Sequence, residues 1–103
     1  MTVNSIKAIT ASSDDDSTDD VKIHVGGKKI WGSYHMRSGD YARVARGRSF
    51  DKTTEIKVYD DDNWPNPDDF AGSTHIYTWQ RGTFTRRVSG EKSMFELNYT
   101  ISA

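Results

Sequence analysis

The sequence predicts an all-β fold, an antiparallel β-sandwich of eight strands, from three observations. Polar and apolar residues alternate over short runs, which is the pattern of a half-buried strand, and turn residues recur at roughly ten-residue intervals. No segment shows the longer period of an amphipathic helix. The chain has 103 residues, of which 34% are hydrophobic and 12% aromatic, enough to fill a thin sandwich whose strands each bury one face. This length predicts one domain over residues 1–103.

The first strands are predicted from alternation and turn chemistry. The predicted strands are, in chain order, 5–12, 21–25, 29–36, 41–46, 54–59, 74–79, 83–88 and 94–102. The first is a short run of apolar and polar residues in which Ile6 and Ala8 face one side of the strand and Lys7 faces the other. Alternation over 21–25 predicts the second, and Gly26-Gly27 then predicts a two-residue hairpin, because both central positions of that turn need positive φ.

The later strands are separated by further turn signals. Ser38-Gly39 separates the third strand from the fourth, whose basic side chains share one face, and Phe50 in the following loop is expected to point inward. Residues 54–59 alternate most regularly and lead directly into an Asp-rich segment. Turns at 80–82 and 89–90 separate the last three strands.

Composition and motifs argue against several functional classes. The chain has no Cys, so it can form neither a disulfide framework nor a thiolate metal site. It begins without the basic start and apolar run of a signal peptide, and no stretch approaches the roughly 20 apolar residues of a membrane span, so a soluble chain is expected. His24, His35 and His75 fall on separate strands without a second ligand nearby and are expected to be exposed. No nucleophile elbow occurs, and no enzyme is predicted.

Ten of the fifteen acidic residues lie in two segments of the chain, 14–20 and 60–69. The remaining sequence carries 14 basic against 5 acidic residues, and the clustered carboxylates argue against nucleic acid as a partner. Carboxylates held this close repel one another unless a cation neutralises them. Ca²⁺, which takes about six to eight oxygen ligands, suits such a cluster. The alternative is that both segments are solvated loop tips, because Asp is a common turn residue.

The spacing of the carboxylates is specific. Asp14 and Asp20 are six residues apart, and Asp20 directly precedes the predicted strand 21–25. Asp60 and Asp62 are two apart, so on an extended segment they face the same side while Asp61 faces away. A later Asp then stands close before Phe70-Ala71-Gly72.

This pattern resembles the calcium-binding loops of the C2 domain, an eight-stranded β-sandwich that binds Ca²⁺ and acidic phospholipid. The resemblance implies a non-catalytic calcium-binding module that docks to anionic lipid through its two Asp-rich loops. The alternative is a calcium-stabilised protein-interaction or structural module that binds no membrane. The implied ligands are Asp14, Asp20, Asp60, Asp62 and either Asp68 or Asp69. Counting forward from Asp60 selects Asp68, and counting back from Gly72 selects Asp69.

Two further groups are candidates for contact with a lipid surface or a partner. Trp64 lies between Asp-rich stretches and could enter a lipid interface, where Trp is favoured, or could instead pack on the prolines beside it. Arg43 and Arg46, with neighbouring basic residues Arg48, Lys28 and Lys29, could form a basic face for anionic lipid. The alternative for these residues is edge protection, a common use of basic side chains on strands.

Overall fold

A computed structural model describes residues 1–11, 18–60, 69–90 and 93–102, and for Thr18, Asp19 and Asp69 it describes the backbone alone. Within these ranges the chain forms eight strands and no helix. The strands are β1 Thr2–Thr10, β2 Thr18–Val25, β3 Lys28–Arg37, β4 Tyr41–Gly47, β5 Thr53–Asp60, β6 Asp69–Tyr77, β7 Gly82–Ser89 and β8 Met94–Ile101. No helix in this described part is long and apolar enough to cross a membrane.

The strands form two four-stranded antiparallel sheets, which confirms the predicted all-β sandwich. One sheet has the order β4-β1-β8-β7 and the other the order β3-β2-β5-β6. Gly26 and Gly27 both have positive φ, at 58° and 83°, as the predicted hairpin between β2 and β3 requires. Phe50 is partly buried against the core, as expected.

The main differences from the predicted boundaries lie in the Asp-rich segments. β2 begins at Thr18 rather than at residue 21, because its first residues pair with the end of β3, Thr18 opposite Arg37. β6 begins at Asp69 rather than at residue 74, since the ladder with β5 continues to the pair Asp60 and Asp69. β6 also ends at Tyr77, two residues earlier than predicted. Backbone pairing with a neighbour thus extends strands through residues of low strand propensity.

The core lies between the two sheets and is formed by alternate residues of each strand. On β8, Phe95, Leu97, Tyr99 and Ile101 point inward and are buried, while the residues between them are partly exposed. The largest fully buried side chains are Phe95, Ile6, Ile23, Met36, Ile56, Ile76 and Leu97. Burying one such aliphatic or aromatic side chain contributes about 1.5–3 kcal/mol.

A glycine allows the sheets to approach closely at one corner, where β6 passes β7. Gly72 has a φ of 139°, and a Cβ there would lie 2.6 Å from the backbone nitrogen of Ser89. No other residue fits this position without moving backbone, so Gly72 fixes how β6 packs on the sheet that contains β7.

The topology gives the sandwich two distinct ends. β1 and β5 stop at one end, and β2 and β6 start there, so the strand ends that flank both Asp-rich segments lie at this end; we call it the acidic end. The β3–β4 turn also lies there, since the Gly39 nitrogen donates to the Ala8 carbonyl over 2.6 Å. The Gly26-Gly27 turn lies at the opposite end.

Candidate functional site

Two predicted ligands, forty residues apart in sequence, meet at the acidic end. β2 and β5 are neighbours, and their register sets Val21 opposite Asp60. The backbone nitrogen of Asp20 donates a hydrogen bond to Asp60 Oδ1 over 2.9 Å. Asp60 is also opposite Asp69 in the β5–β6 ladder. Asp20, Asp60 and Asp69, three of the predicted ligand positions, therefore lie on adjacent strands at the acidic end.

His35, which was not among the ligands predicted from the sequence, also lies beside Asp20 and Asp60. His35 lies opposite Asp20 in the β2–β3 ladder, and its Nδ1 is 2.8 Å from Asp20 Oδ1. Both side chains are more than half exposed, at 63% and 54%. A regular hairpin about Gly26-Gly27 would instead set Ser33 opposite Asp20. Two register shifts between β2 and β3 bring His35 there.

Several predicted site residues fall outside the described part of the chain. Asp14, Asp62, Asp68 and Trp64 belong to the segments that the structure does not describe, and Asp69 is described by its backbone alone. Within residues 1–11, 18–60, 69–90 and 93–102, no three carboxylate, imidazole or thiol side chains are grouped to hold a metal ion. Of the predicted ligands, Asp20 and Asp60 are thus the two whose side chains are described.

The donor chemistry of the described pair fits a hard cation. Asp20 and Asp60 offer carboxylate oxygens, the ligands that Ca²⁺ prefers. The Asp60 carboxylate is partly compensated by the Asp20 N–H. The Asp20 carboxylate is similarly contacted by the His35 ring, at more than half exposure, where water still reaches both groups. Two carboxylates are fewer than the roughly six to eight oxygen ligands that Ca²⁺ takes, so a calcium site here requires further oxygen donors.

A cluster of aromatic and basic side chains lies beside the acidic end, on the outer face of the β3-β2-β5-β6 sheet. Its members are Lys22, His24, Tyr59 and Phe70. The Tyr59 ring contacts His24 edge-on at 5.0 Å and Phe70 at 5.9 Å between centroids. Lys22 Nζ lies 6.0 Å from the Tyr59 ring centre, and Phe70 is 49% exposed. His24 is consequently half-buried, whereas His35 and His75 are exposed. The expectation that all three histidines are exposed is therefore wrong for His24.

The basic residues predicted to share one face have different surroundings. Arg46 and Lys29 line a cavity of about 420 Å³ at the β3 and β4 edges, together with the stacked pair Trp31 and Tyr34. Arg48 instead is half-buried and donates from Nη1 to the Val25 carbonyl.

Arg43 and Arg46 are both exposed on β4, although regular alternation would point Arg46 inward with Val44. Ala45 has a φ of +49°, and the register shift at this point adds one residue to β4 relative to β1. This bulge turns Arg46 outward.

Comparison with solved structures identifies the architecture. Among the matching structures is a C2 domain of plant extended synaptotagmin 1, with a TM-score of 0.53, covering 94% of this chain and 87% of that one. The chain has a C2-like fold. The likeness extends to fold, since only 13% of residues are identical. No family model and no curated protein sequence match the chain. The resemblance to C2 domains drawn from the Asp spacing is confirmed at the level of fold.

Proposed function

We propose that the chain is a non-catalytic calcium-binding module of C2-like fold that docks to anionic phospholipid through its acidic end. The observation that carries the proposal is the hydrogen bond from Asp20 to Asp60, which joins the ends of the two Asp-rich connections. The resemblance to C2 domains implies these same two positions as ligands. The C2-like fold supports the same class of binding module.

In this proposal Ca²⁺ bridges the two Asp-rich segments. The ligands are Asp14 and Asp20 from the first, and Asp60 and Asp62 with Asp68 or Asp69 from the second. The register sets Asp69 opposite Asp60. This favours Asp69 over Asp68 as the ligand, because Asp69 begins β6 at the same end of the sheet. The bound ion cancels the mutual repulsion of the carboxylates and leaves an end of the molecule that can meet phosphate groups.

Residues around the ion would supply contact with the lipid. Trp64 would enter the headgroup region, and the exposed Phe70 ring beside Tyr59 and Lys22 is suited to the same depth. Arg43 and Arg46 lie on β4 of the other sheet, with Arg46 opposite Val3 towards the end remote from the ion, and would add longer-range electrostatic attraction to an anionic surface.

Co-sedimentation with phosphatidylserine-containing vesicles tests the lipid step. We expect binding that requires Ca²⁺, is lost in EGTA and falls in Trp64→Ala and Phe70→Ala. The matched control is Trp79→Ala, since Trp79 is 74% exposed near the opposite end and should not matter. Vesicle binding that is unchanged by EGTA would contradict the proposal and would assign binding to the basic residues alone.

A second candidate, a calcium-stabilised protein-interaction module without membrane binding, is favoured by one surface feature. Tyr77 and Trp79 stack with ring centroids 5.6 Å apart, and both are exposed. Tyr and Trp are enriched at protein interfaces. Calcium binding without any vesicle binding would select this candidate.

A further inference from the structure

The outer face of the β4-β1-β8-β7 sheet carries a fixed network of amide and hydroxyl groups, here called the polar ladder. Asn4 Nδ2 donates to Asn98 Oδ1 over 2.8 Å and to Thr100 Oγ1 over 3.0 Å. Asn98 Nδ2 donates to Thr85 Oγ1 over 3.0 Å, and the hydroxyls of Thr83 and Thr100 are 2.9 Å apart. The ladder therefore crosses three adjacent strands, β1, β8 and β7.

An irregularity of β1 adds a side chain to this face. Val3 and Ile6 are both buried, so two residues, Asn4 and Ser5, lie between consecutive inward positions. The register confirms the extra residue, because the step from Val3 to Ser5 on β1 matches a single step on β8. Bulges of this kind re-aim side chains and recur next to functional sites. Here the bulge places the Asn4 amide on the ladder.

A cavity of about 340 Å³ opens on the ladder, a size within the range of small-ligand sites. Asn4, Asn98 and Thr85 line one part of it, and Tyr41, Lys7 and Glu96 line the other. Tyr41 lies opposite Lys7 in the β1–β4 register and is 64% exposed, so its ring is available to a ligand.

The charges of the cavity offset one another. Lys7 is opposite Glu96 in the β1–β8 ladder, and Glu96 Oε2 is also 3.5 Å from Arg87 Nε on β7. The remaining lining groups are neutral amides and hydroxyls with one exposed aromatic ring. An anionic ligand would meet the Glu96 carboxylate, and an apolar partner would remove these amides and hydroxyls from water, which costs free energy.

We propose that the polar ladder and Tyr41 form a binding site for a neutral oligosaccharide. A pyranose ring has an apolar C–H face, which can stack on the Tyr41 ring, and a rim of hydroxyls that each donate and accept hydrogen bonds. The Asn4 amide gives both hydrogens to the ladder, so its carbonyl oxygen is held in one orientation as an acceptor. Side chains already fixed in this way lose little entropy when a sugar binds.

This site is separate from the proposed calcium site and needs no metal. The ladder lies on the sheet that contains β1 and β8, whereas Asp20 and Asp60 belong to β2 and β5 of the other sheet. Sugar binding should therefore be the same with Ca²⁺ and with EGTA. Failure of one proposal leaves the other standing.

The test is an NMR titration of the ¹⁵N-labelled protein with cellohexaose, xylohexaose, mannohexaose, maltohexaose and chitohexaose, each to about 10 mM. We expect at least one sugar to shift the amide signals of β1, β8 and the side-chain amide of Asn98. The absence of shifts with all five sugars would overturn the proposal, as would shifts confined to β2 and β5, which carry Asp20 and Asp60.

Variants then separate recognition from incidental contact. Tyr41→Ala should weaken binding about three- to tenfold, the effect expected for one stacked ring, whereas Tyr41→Phe should keep most of the affinity. Asn98→Ala should weaken binding further, and its thermal melting shows whether the fold is retained. Tyr77→Ala is the matched control, an exposed tyrosine near the opposite end of the other sheet. Equal affinity of Tyr41→Ala and Tyr77→Ala would contradict the proposal.

Discussion

Replacing Gly72 by alanine tests how the two sheets are held at the β6–β7 corner. Gly72 has a φ of 139°, and an added Cβ would lie 2.6 Å from Ser89 N and 2.7 Å from Val88 C. Both are backbone atoms, which cannot rotate away as a side chain does. The change therefore combines backbone strain with overpacking.

Gly27 provides a control that has a positive φ but no overpacking. Its φ is 83°, and an added Cβ would meet no atom within 4 Å. Left-handed backbone strain in Gly27→Ala should cost about 1–2 kcal/mol. Gly72→Ala should add about 1–3 kcal/mol of overpacking, for a total of about 2–5 kcal/mol. In a domain of this size each kcal/mol lowers the melting temperature by about 4–8 °C.

Urea unfolding of the two variants beside the wild type gives both free energies. The expected result is that Gly72→Ala loses at least about 1 kcal/mol more than Gly27→Ala. Losses that agree within about 0.5 kcal/mol would refute the close packing of β6 on β7.

Two other substitutions test packing away from the acidic end, each by chemical denaturation. Arg48→Met removes the hydrogen bond to the Val25 carbonyl and should lower the free energy of unfolding by about 1–2 kcal/mol, because Arg48 is half-buried. Arg43→Met, at an exposed position, should change it by no more than about 0.5 kcal/mol. Leu97→Ala empties a fully buried position and should cost about 2–5 kcal/mol, against about 0.5 kcal/mol or less for the exposed Thr78→Ala. Equal losses within either pair would contradict the packing described.

The parts of the fold that depend on local pattern could be predicted from the sequence. Residues 54–59 alternate strictly and form the centre of β5, and Gly26-Gly27 forms the expected turn. The implied ligand set also combines residues of both Asp-rich segments in one site, which requires the fold to bring Asp20 and Asp60 together. The contact between Asp20 and Asp60 is consistent with that reasoning.

Features that depend on register could not be predicted in the same way. His35 meets Asp20 after two register shifts in the β2–β3 ladder, and nothing local in the sequence marks those shifts. Arg46 and Asn4 point outward because of bulges on β4 and β1. A bulge moves every later side chain of a strand to the other face, so one missed bulge changes which residues share a surface.

The boundaries of the Asp-rich segments were missed for a related reason. The sequence predicts loops over 13–20 and 60–73, where polar residues break the alternation, yet β2 begins at Thr18 and β6 at Asp69. Hydrogen bonds to β3 and β5 stabilise these extensions, and those partners are distant in sequence. The extensions matter because they bring Asp20, Asp60 and Asp69 onto paired strands rather than onto loops.

Calcium-dependent melting of the wild type and of Asp60→Asn tests the proposed function most directly. A ligand at one hundred times its Kd stabilises the folded state by about 2.7 kcal/mol, a rise in melting temperature of roughly 10–20 °C for this size. Asp60→Asn should lose most of that rise, while Asp51→Asn, which changes an exposed carboxylate in the loop between β4 and β5, should keep it. A wild-type melting temperature unmoved by millimolar Ca²⁺, or an equal rise in Asp60→Asn, would contradict a calcium site at the acidic end.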